Sequence, residues 1–435
     1  MINHNIVNAR AVIAWIAAPG RPAPPAFAEA LRAAHYRLAG KGDRAPDVAV
    51  VDLCGADPAS PAAADAVAAA RRLGAHAGVL IAAGTNANAE DRRRLARLGE
   101  TVFTRTSVEP LIGALRERLR VAALADETGD RLKTLVADGR PVALAPAPPR
   151  REDFSVLIAG KPSPIALTVS NAAAGMAKSA ASVFSAGQAM RALDHGAFHG
   201  AVFIPADEND LLIALARALR RHREHRRLPV IIVSEDDDLL DRRAAKDGLE
   251  TMSAARVGED LSPRLETVTR RALMAANMRA FLRSGEGNGG AIAASPRLFA
   301  QHAVRCLHRA DETGRTISFV ALTLAPKAEG VSTAASRLAL DEALRTAARL
   351  VRAEDMIARL TATTLVVMLR GTTAADAERV AHRLEGVIAG TQSRASLDHA
   401  DVFAAAIERH PGVEIERVIA ALVADLRGRR RAKSA

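Results

Sequence analysis

The sequence predicts a multidomain α/β protein: two doubly wound units of one build, followed by a third α/β unit with a different element order. Three observations carry this. Short, almost continuously apolar runs alternate with Ala-, Leu- and Arg-rich stretches of helical length, the pattern of parallel strands covered on both faces. The spacing of those runs repeats once, which indicates duplication of a single unit. After about residue 290 the order changes to helix, strand, helix, hairpin, helix, strand, helix.

In the first unit, residues 1–125, the strands are read at AVIAWIA (11–17), DVAVVDL (47–53), GVLIAAG (78–84) and TVFTR (101–105). The opening stretch MINHNIVNARAVIAWIAAPG is expected to hold a first strand rather than a signal peptide, because one Arg precedes the apolar run and Pro and Gly stop it early. Residues 126–152 are expected to be a helical linker ending in the proline-rich GRPVALAPAPPRRED. The second unit with its exit helix, residues 153–284, has strands at FSVLIAG (154–160), SAASVF (179–184), GAVFIPA (200–206) and PVIIVSE (229–235), with a weaker one in ETMSAARV. GEGNGG then formally fits a dinucleotide-binding loop, but it follows a helix instead of a strand, so a hinge is expected there. The third unit spans 285–430, and 431–435 is a basic tail.

Hydrophobic residues make up 49% and aromatics 3% of the chain, so the cores must be built from Ala, Leu, Val and Ile. Two cysteines, Cys54 and Cys306, give neither a disulfide framework nor metal-ligand spacing, which suits a reducing cytoplasm. No run of about 18 apolar residues is present, so no membrane span is expected. The net charge is +11. Its densest stretches, RALRRHREHRR (217–227) and RGRRRAKSA (427–435), are read as solvated helix faces and a basic end; no helix-turn-helix or ribbon motif supports nucleic-acid binding.

The sharpest motif is RAEDMIARLTATTLVVML, residues 352–369. Arg352 and Asp355 stand three apart, five residues follow, and TATTL leads into an apolar strand. By itself an Arg-x-x-Asp pair is a surface ion pair contributing a few tenths of a kcal/mol. In this context it resembles the inhibitory site of GGDEF domains, which lies five residues before the GG(D/E)EF signature. Two units of receiver spacing followed by this segment resemble the receiver–receiver–GGDEF architecture of response-regulator diguanylate cyclases, along essentially the whole chain. The fold class implied is α/β multidomain: two receiver-like (flavodoxin-like) domains and a GGDEF-like α/β palm domain.

The resemblance also marks what has changed. The signature's glycine positions hold Thr361 and Ala362, and its acidic positions hold Thr363 and Thr364. The family's other metal aspartate falls at Thr323, and its guanine-binding acid falls near Arg337. Without paired carboxylates for divalent cations, neither cyclase activity nor a metal in this domain is expected. The resemblance implies instead that cyclic di-GMP binds at Arg352 and Asp355, with Arg309 and Arg383 as supporting arginines. Chemically, a guanidinium forks onto guanine O6/N7 or a phosphate, and a carboxylate accepts from the guanine N1–H and N2–H₂ edge.

In the first receiver-like unit the phosphoacceptor position is Asp52. The acidic pair expected after strand one is missing from AWIAAPG, and only Ala82 to Thr85 and Arg105 lie near the other conserved places. In the second unit that position is Pro205, with Asp207, Glu208 and Asp210 beyond it, and Ser234 near the end of the fourth strand. The resemblance therefore implies a cytoplasmic, catalytically inactive effector for cyclic di-GMP. It would dimerise through its receiver-like units and engage protein partners in cell-cycle control or regulated proteolysis, at a cell pole. The alternative is an interaction scaffold of the same fold that needs no ligand.

Overall fold

The computed structural model describes residues 11–17, 22–40, 46–74, 78–84, 87–104, 108–142, 154–207, 209–222, 224–225, 227–236, 249–326, 333–391 and 400–434. The first unit contains strands β1 (Ala11–Ala17), β2 (Tyr36–Leu38), β3 (Val48–Leu53), β4 (Val79–Gly84) and β5 (Glu100–Thr104), all parallel, in the order β2-β1-β3-β4-β5. The second contains β6 (Ser155–Gly160), β7 (Ser179–Val183), β8 (Gly200–Ile204), β9 (Val230–Ser234) and β10 (Glu250–Ser253), in the order β10-β9-β8-β6-β7. Renumbered within its unit, this is the same 2-1-3-4-5 order, the flavodoxin-like doubly wound arrangement. The central strands read as unbroken apolar runs because helices cover both faces: Val48 to Val51, Ala201 to Phe203 and Val230 to Val233 are all buried. β2 was not expected; three half-buried residues at a sheet edge leave little periodic signal.

Local chemistry starts the helices. Ser60–Pro61 opens α2 (Pro61–Arg72), after α1 (Pro25–Ala33), and Ser163–Pro164 opens α5 (Pro164–Ala174). In each case the serine oxygen accepts from a backbone N–H three residues on, and proline stands where the helix needs no donor. Asn88 and Asp91 form a reciprocal capping box on α3 (Ala89–Leu98).

The boundary expected near residue 125 falls inside one continuous helix, α4 (Glu109–Ala137). Only residues 143–152 of the expected linker lie outside the described residues. In the second unit α6 (Ala186–His195) and α7 (Leu211–Arg221) precede a second long helix, α8 (Val257–Arg283). The long helices join the units. At the first junction, Glu100 at the start of β5 takes charge-assisted hydrogen bonds from Arg118 of α4 and from Arg264 and Arg271 of α8. Arg264 also grips Glu250 of β10.

The third unit is a sheet of β11 (Ile317–Pro326), β12 (Met356–Arg359), β13 (Thr364–Arg370) and β14 (Ala400–Glu408), in the order β12-β13-β11-β14 with antiparallel pairing throughout. Its strands alternate cleanly. Phe319, Ala321, Val366 and Met368 face α9 (Pro296–Thr313) and α12 (Ile415–Ser434). Val320, Leu322, Leu365 and Val367 face α10 (Thr333–Leu350) and α11 (Ala374–Thr391). The first of these cores also contains Leu124 and Leu135 of α4 and Ala275, Phe281 and Leu282 of α8. Helices of the first two units thus complete the core of the third.

GEGNGG is not a free hinge. It forms a one-turn 3-10 helix, Glu286–Asn288, whose buried Asn288 amide donates toward the carbonyls of Leu282, Ser284 and Ile292. Its Oδ1 accepts from Arg131 of α4 at 2.8 Å. A Cβ on Gly287 would collide with the carbonyl of Phe281, so only glycine fits there.

Removing Glu100 leaves Arg118, Arg264 and Arg271 crowded at one half-buried place, with Glu250 and, at 3.7 Å, Glu117 to oppose them. Burial alone would raise the Glu100 pKa, but the three arginines outweigh it and hold the carboxyl below its ordinary 4.5. The stabilisation is therefore full above pH 4.5 and is lost as pH falls through the depressed value. Glu100→Ala should cost about 3 kcal/mol in urea unfolding at neutral pH, the usual loss on orphaning a buried ion pair. The gap from wild type should narrow in strong acid.

Candidate functional site

Arg352 and Asp355 lie in the tight turn between α10 and β12. Asp355 Oδ2 accepts from the Arg352 backbone N–H at 2.9 Å, and the Asp355 N–H donates back to the Arg352 carbonyl at 3.3 Å. The turn is thus closed by its own aspartate. The Arg352 side chain is exposed. Asp355 is turned inward: it is 9% exposed, and its Oδ1 is buried without a hydrogen-bond partner. Burial, the largest influence, and the neighbouring Glu354 push its carboxyl up to about 7, against the pull of Arg352.

Arg383 projects from α11 and donates to the carbonyl of Leu350 at 2.9 Å, two residues before Arg352. The structure therefore brings Arg383 beside the turn. Arg309 does not join them. Its guanidinium is committed to Asp126 at 2.8 Å and Asp130 at 3.1 Å on α4, so it is part of a junction between units. Asp355 likewise does not offer a carboxylate to solvent; it fixes the turn that presents Arg352. Two clefts flank the neighbouring hairpin. One, of about 550 Å³, is lined by Phe299, Leu360, Ile415, Ile419 and Val423. The other, of about 430 Å³, is lined by Asn288, Asp341, Arg345 and Arg359. Neither reaches Arg352 or Asp355, so a ligand of the turn would lie on open surface.

The segment TATT forms the turn between β12 and β13. The Leu360 and Thr361 N–H groups donate to the Thr364 carbonyl, and Thr323 of β11 stands opposite Thr364 in register. Their hydroxyls are 3.2 Å apart. Thr323 and Thr364, two of the three positions that the resemblance aligns with family carboxylates (the third is Thr363), meet in space. Two hydroxyls bonded to each other do not fit Mg²⁺, which is held by carboxylate oxygens. The side chain of Arg337 lies outside the description.

Asp52 sits near the carboxyl end of β3, opposite Ala17 of β1 and Ala82 of β4. This is the point where the sheet order reverses, the usual ligand position of doubly wound sheets. Its Oδ1 accepts from the Cys54 N–H at 2.9 Å. Thr85 and Arg105 lie outside the described residues. In the second unit Pro205 follows β8 directly and Asp210 caps α7, accepting from Leu212. Ser234 Oγ accepts from the Asp236 N–H. Glu208 lies outside the described residues.

One cluster escaped the sequence. Glu127 of α4 and His302 and Cys306 of α9 are all buried, with three potential donor atoms within 4.8 Å of one another. His302 Nε2 is 2.9 Å from Glu127 Oε1 and 3.3 Å from Cys306 Sγ. Arg131 and Arg370 also hold Glu127. Burial alone would raise the Glu127 carboxyl, but His302 and the two arginines drive it far below its ordinary value. Burial pushes the Cys306 thiol up and the His302 imidazole down. The i,i+4 spacing of His302 and Cys306 was legible in the sequence. Their partner, 175 residues away, was not.

No known protein family matches the chain, and neither does any curated protein. Solved structures do. One is the GGDEF domain of DgcB from Caulobacter crescentus in complex with c-di-GMP: 15% identity over 32% of this chain and 86% of that one, TM-score 0.28. Another is a DGC protein from Thermotoga maritima, at 15% identity over 31% and 95%, TM-score 0.26. A third is diguanylate cyclase SiaD with its activator SiaC from Pseudomonas aeruginosa, at 15% identity over 41% and 72%, TM-score 0.30. Likeness of this size carries no weight for function. Among the described residues no helix is long and apolar enough to cross a membrane.

Folding raises the Asp355 carboxyl from 3.8 to about 7, so its protonated form is the one that stabilises the fold. That contribution is full below pH 3.8, shrinks as pH rises and is gone above about 7. Asp355→Asn should remove this dependence. Urea titrations from pH 4 to 7 should show wild type losing up to about 1.4 kcal/mol per pH unit relative to the variant.

Proposed function

We propose that this protein is a catalytically inactive, GGDEF-like effector that binds cyclic di-GMP at the Arg352 turn. The observation that carries the proposal is the pairing of two guanidinium groups at one surface. Arg352 is exposed on a turn locked by Asp355, and Arg383 is anchored to the carbonyl of Leu350 beside it. Two planar, permanently charged donors on an open face suit a ligand with two phosphates and two guanines. Asp355 positions Arg352 and does not itself face the ligand. The Thr323–Thr364 pair leaves the signature turn without metal carboxylates, which supports the absence of cyclase chemistry. Two flavodoxin-like units ahead of this domain fit receivers in a dimeric effector of the PopA type. Such an effector recruits protein partners for regulated proteolysis in the cell cycle, in the cytoplasm and at a pole. Asp52, at the carboxyl end of β3, would be the phosphoacceptor in that reading.

A second reading, a scaffold that needs no ligand, is favoured by one observation: the Asp355 carboxylate is turned away from solvent. Isothermal titration separates the two. Cyclic di-GMP should bind wild type, and Arg352→Ala and Arg383→Ala should each weaken it at least tenfold, or about 1.4 kcal/mol. Absence of binding to wild type would leave the scaffold. Conversion of GTP and Mg²⁺ to a cyclic dinucleotide would overturn the inactive assignment.

A further inference from the structure

The Glu127–His302–Cys306 cluster is independent of the nucleotide site, and its hydrogen bonding is incomplete in a specific way. The Thr134 hydroxyl donates to the Asp130 carbonyl at 2.8 Å. Its oxygen can therefore only accept from His302 Nδ1, 3.1 Å away. That fixes the proton of a neutral imidazole on Nδ1 and leaves a lone pair on Nε2. This lone pair points at Glu127 Oε1, a carboxylate oxygen 2.9 Å away, with Cys306 Sγ at 3.3 Å. Cys306 can give its thiol hydrogen to that lone pair, but Nε2 and Oε1 still meet as two acceptors in a dry interior, a contact that a positive centre between them would relieve.

We propose that Glu127, His302 and Cys306 bind a divalent transition-metal ion of the zinc class, which clips α4 of the first unit to α9 of the third. The donor set is one oxygen, one nitrogen and one sulfur, the mixture such ions accept. Around a tetrahedral zinc, ligand atoms lie roughly 3.3 to 3.8 Å apart, given bonds of about 2.0 to 2.3 Å. The two separations from His302 Nε2 need to open by less than about half an ångström, and Glu127 Oε1 and Cys306 Sγ lie within 4.8 Å of each other. Thr134 plays the part commonly found behind a ligating histidine, an oxygen that takes the second ring N–H and fixes the tautomer. His302 and Cys306 are one turn apart on α9, so a single helix face delivers both. The acid comes from the facing helix.

Loading is balanced as an exchange. The ion binds the Cys306 sulfur, the thiol proton leaves to solvent, and the site gains one positive charge overall. Asp126 and Asp130, both buried on the same helix face, lie beside it. Arg131 on Oε1 and Arg370 on Oε2 keep the Glu127 carboxylate in place. The alternative positive centre is a proton, which would make His302 a doubly protonated imidazolium.

The full-length chain, stripped with chelator under reducing conditions, would be reloaded with Zn²⁺ or Co²⁺. One equivalent of zinc should remain after desalting, by elemental mass spectrometry. The cobalt form should show a thiolate-to-metal charge-transfer band. Cys306→Ser should abolish that band and the retained equivalent, and Cys54→Ser should keep both. The wild-type measurements decide even if Cys306→Ser folds poorly. No retained metal, or a cobalt form without the thiolate band, overturns the proposal, as does a band that survives in Cys306→Ser. Nitrogen-15 NMR showing both His302 nitrogens protonated at neutral pH, in metal-loaded protein, would also overturn it.

Discussion

Three carboxylates on one face of one helix govern how this molecule is assembled. Asp126, Glu127 and Asp130 of α4 are 6%, 0% and 3% exposed. Left alone, such a row would expel itself from the interior, because each buried anion costs several kcal/mol. It is stable because Arg131, Arg309, Arg315 and Arg370 converge on it, three of them from the third unit. Arg315 also reaches back to Asp47 ahead of β3, so one guanidinium touches both ends of the junction. Burial and the nearby Arg370 lower Arg315 to about 10, and it stays charged at neutral pH. A buried ion network of this kind adds little net stability over an apolar core, but it admits one register. Here that register sets α4 against α9.

The consequences reach the candidate site. Arg370 ends β13, the strand that begins at the TATT turn, so the junction holds one end of the hairpin sheet. Arg309 is drawn out of the ligand set because α4 requires it. What remains at the Arg352 turn is a smaller constellation than sequence alone implied: two arginines presented to solvent and an aspartate that holds the turn. The first junction, around Glu100, repeats the device with the signs arranged differently, one carboxylate among three arginines.

Much of this was legible in the sequence. The duplicated parallel sheets follow from runs such as VAVVDL and GAVFI, whose continuous apolarity is a local property, whereas the edge strand β2 leaves no such run. The meeting of Thr323 with Thr364 followed from aligning one strand and one hairpin, because antiparallel register carries a local match across the sheet. The rest depended on partners far apart in the chain. Arg309 has the spacing of a ligand residue, but its partner Asp130 is 179 residues earlier. A charged helix such as α4 looks like a solvated linker until arginines from another unit neutralise it. GEGNGG looks like a hinge until Asn288 is seen under Arg131. Asp355 has the spacing of a ligand group, because nothing local shows that its side chain turns inward.

Through the Glu127 row, α4 and the third unit form one cooperative body. Hydrogen exchange on the full chain tests it most directly, comparing wild type with Glu127→Ala. In the variant, protection should fall together over residues 124–135 of α4 and 299–310 of α9, while the β6–β10 sheet is unchanged. Loss confined to the turn around residue 127, with α9 still protected, would contradict it.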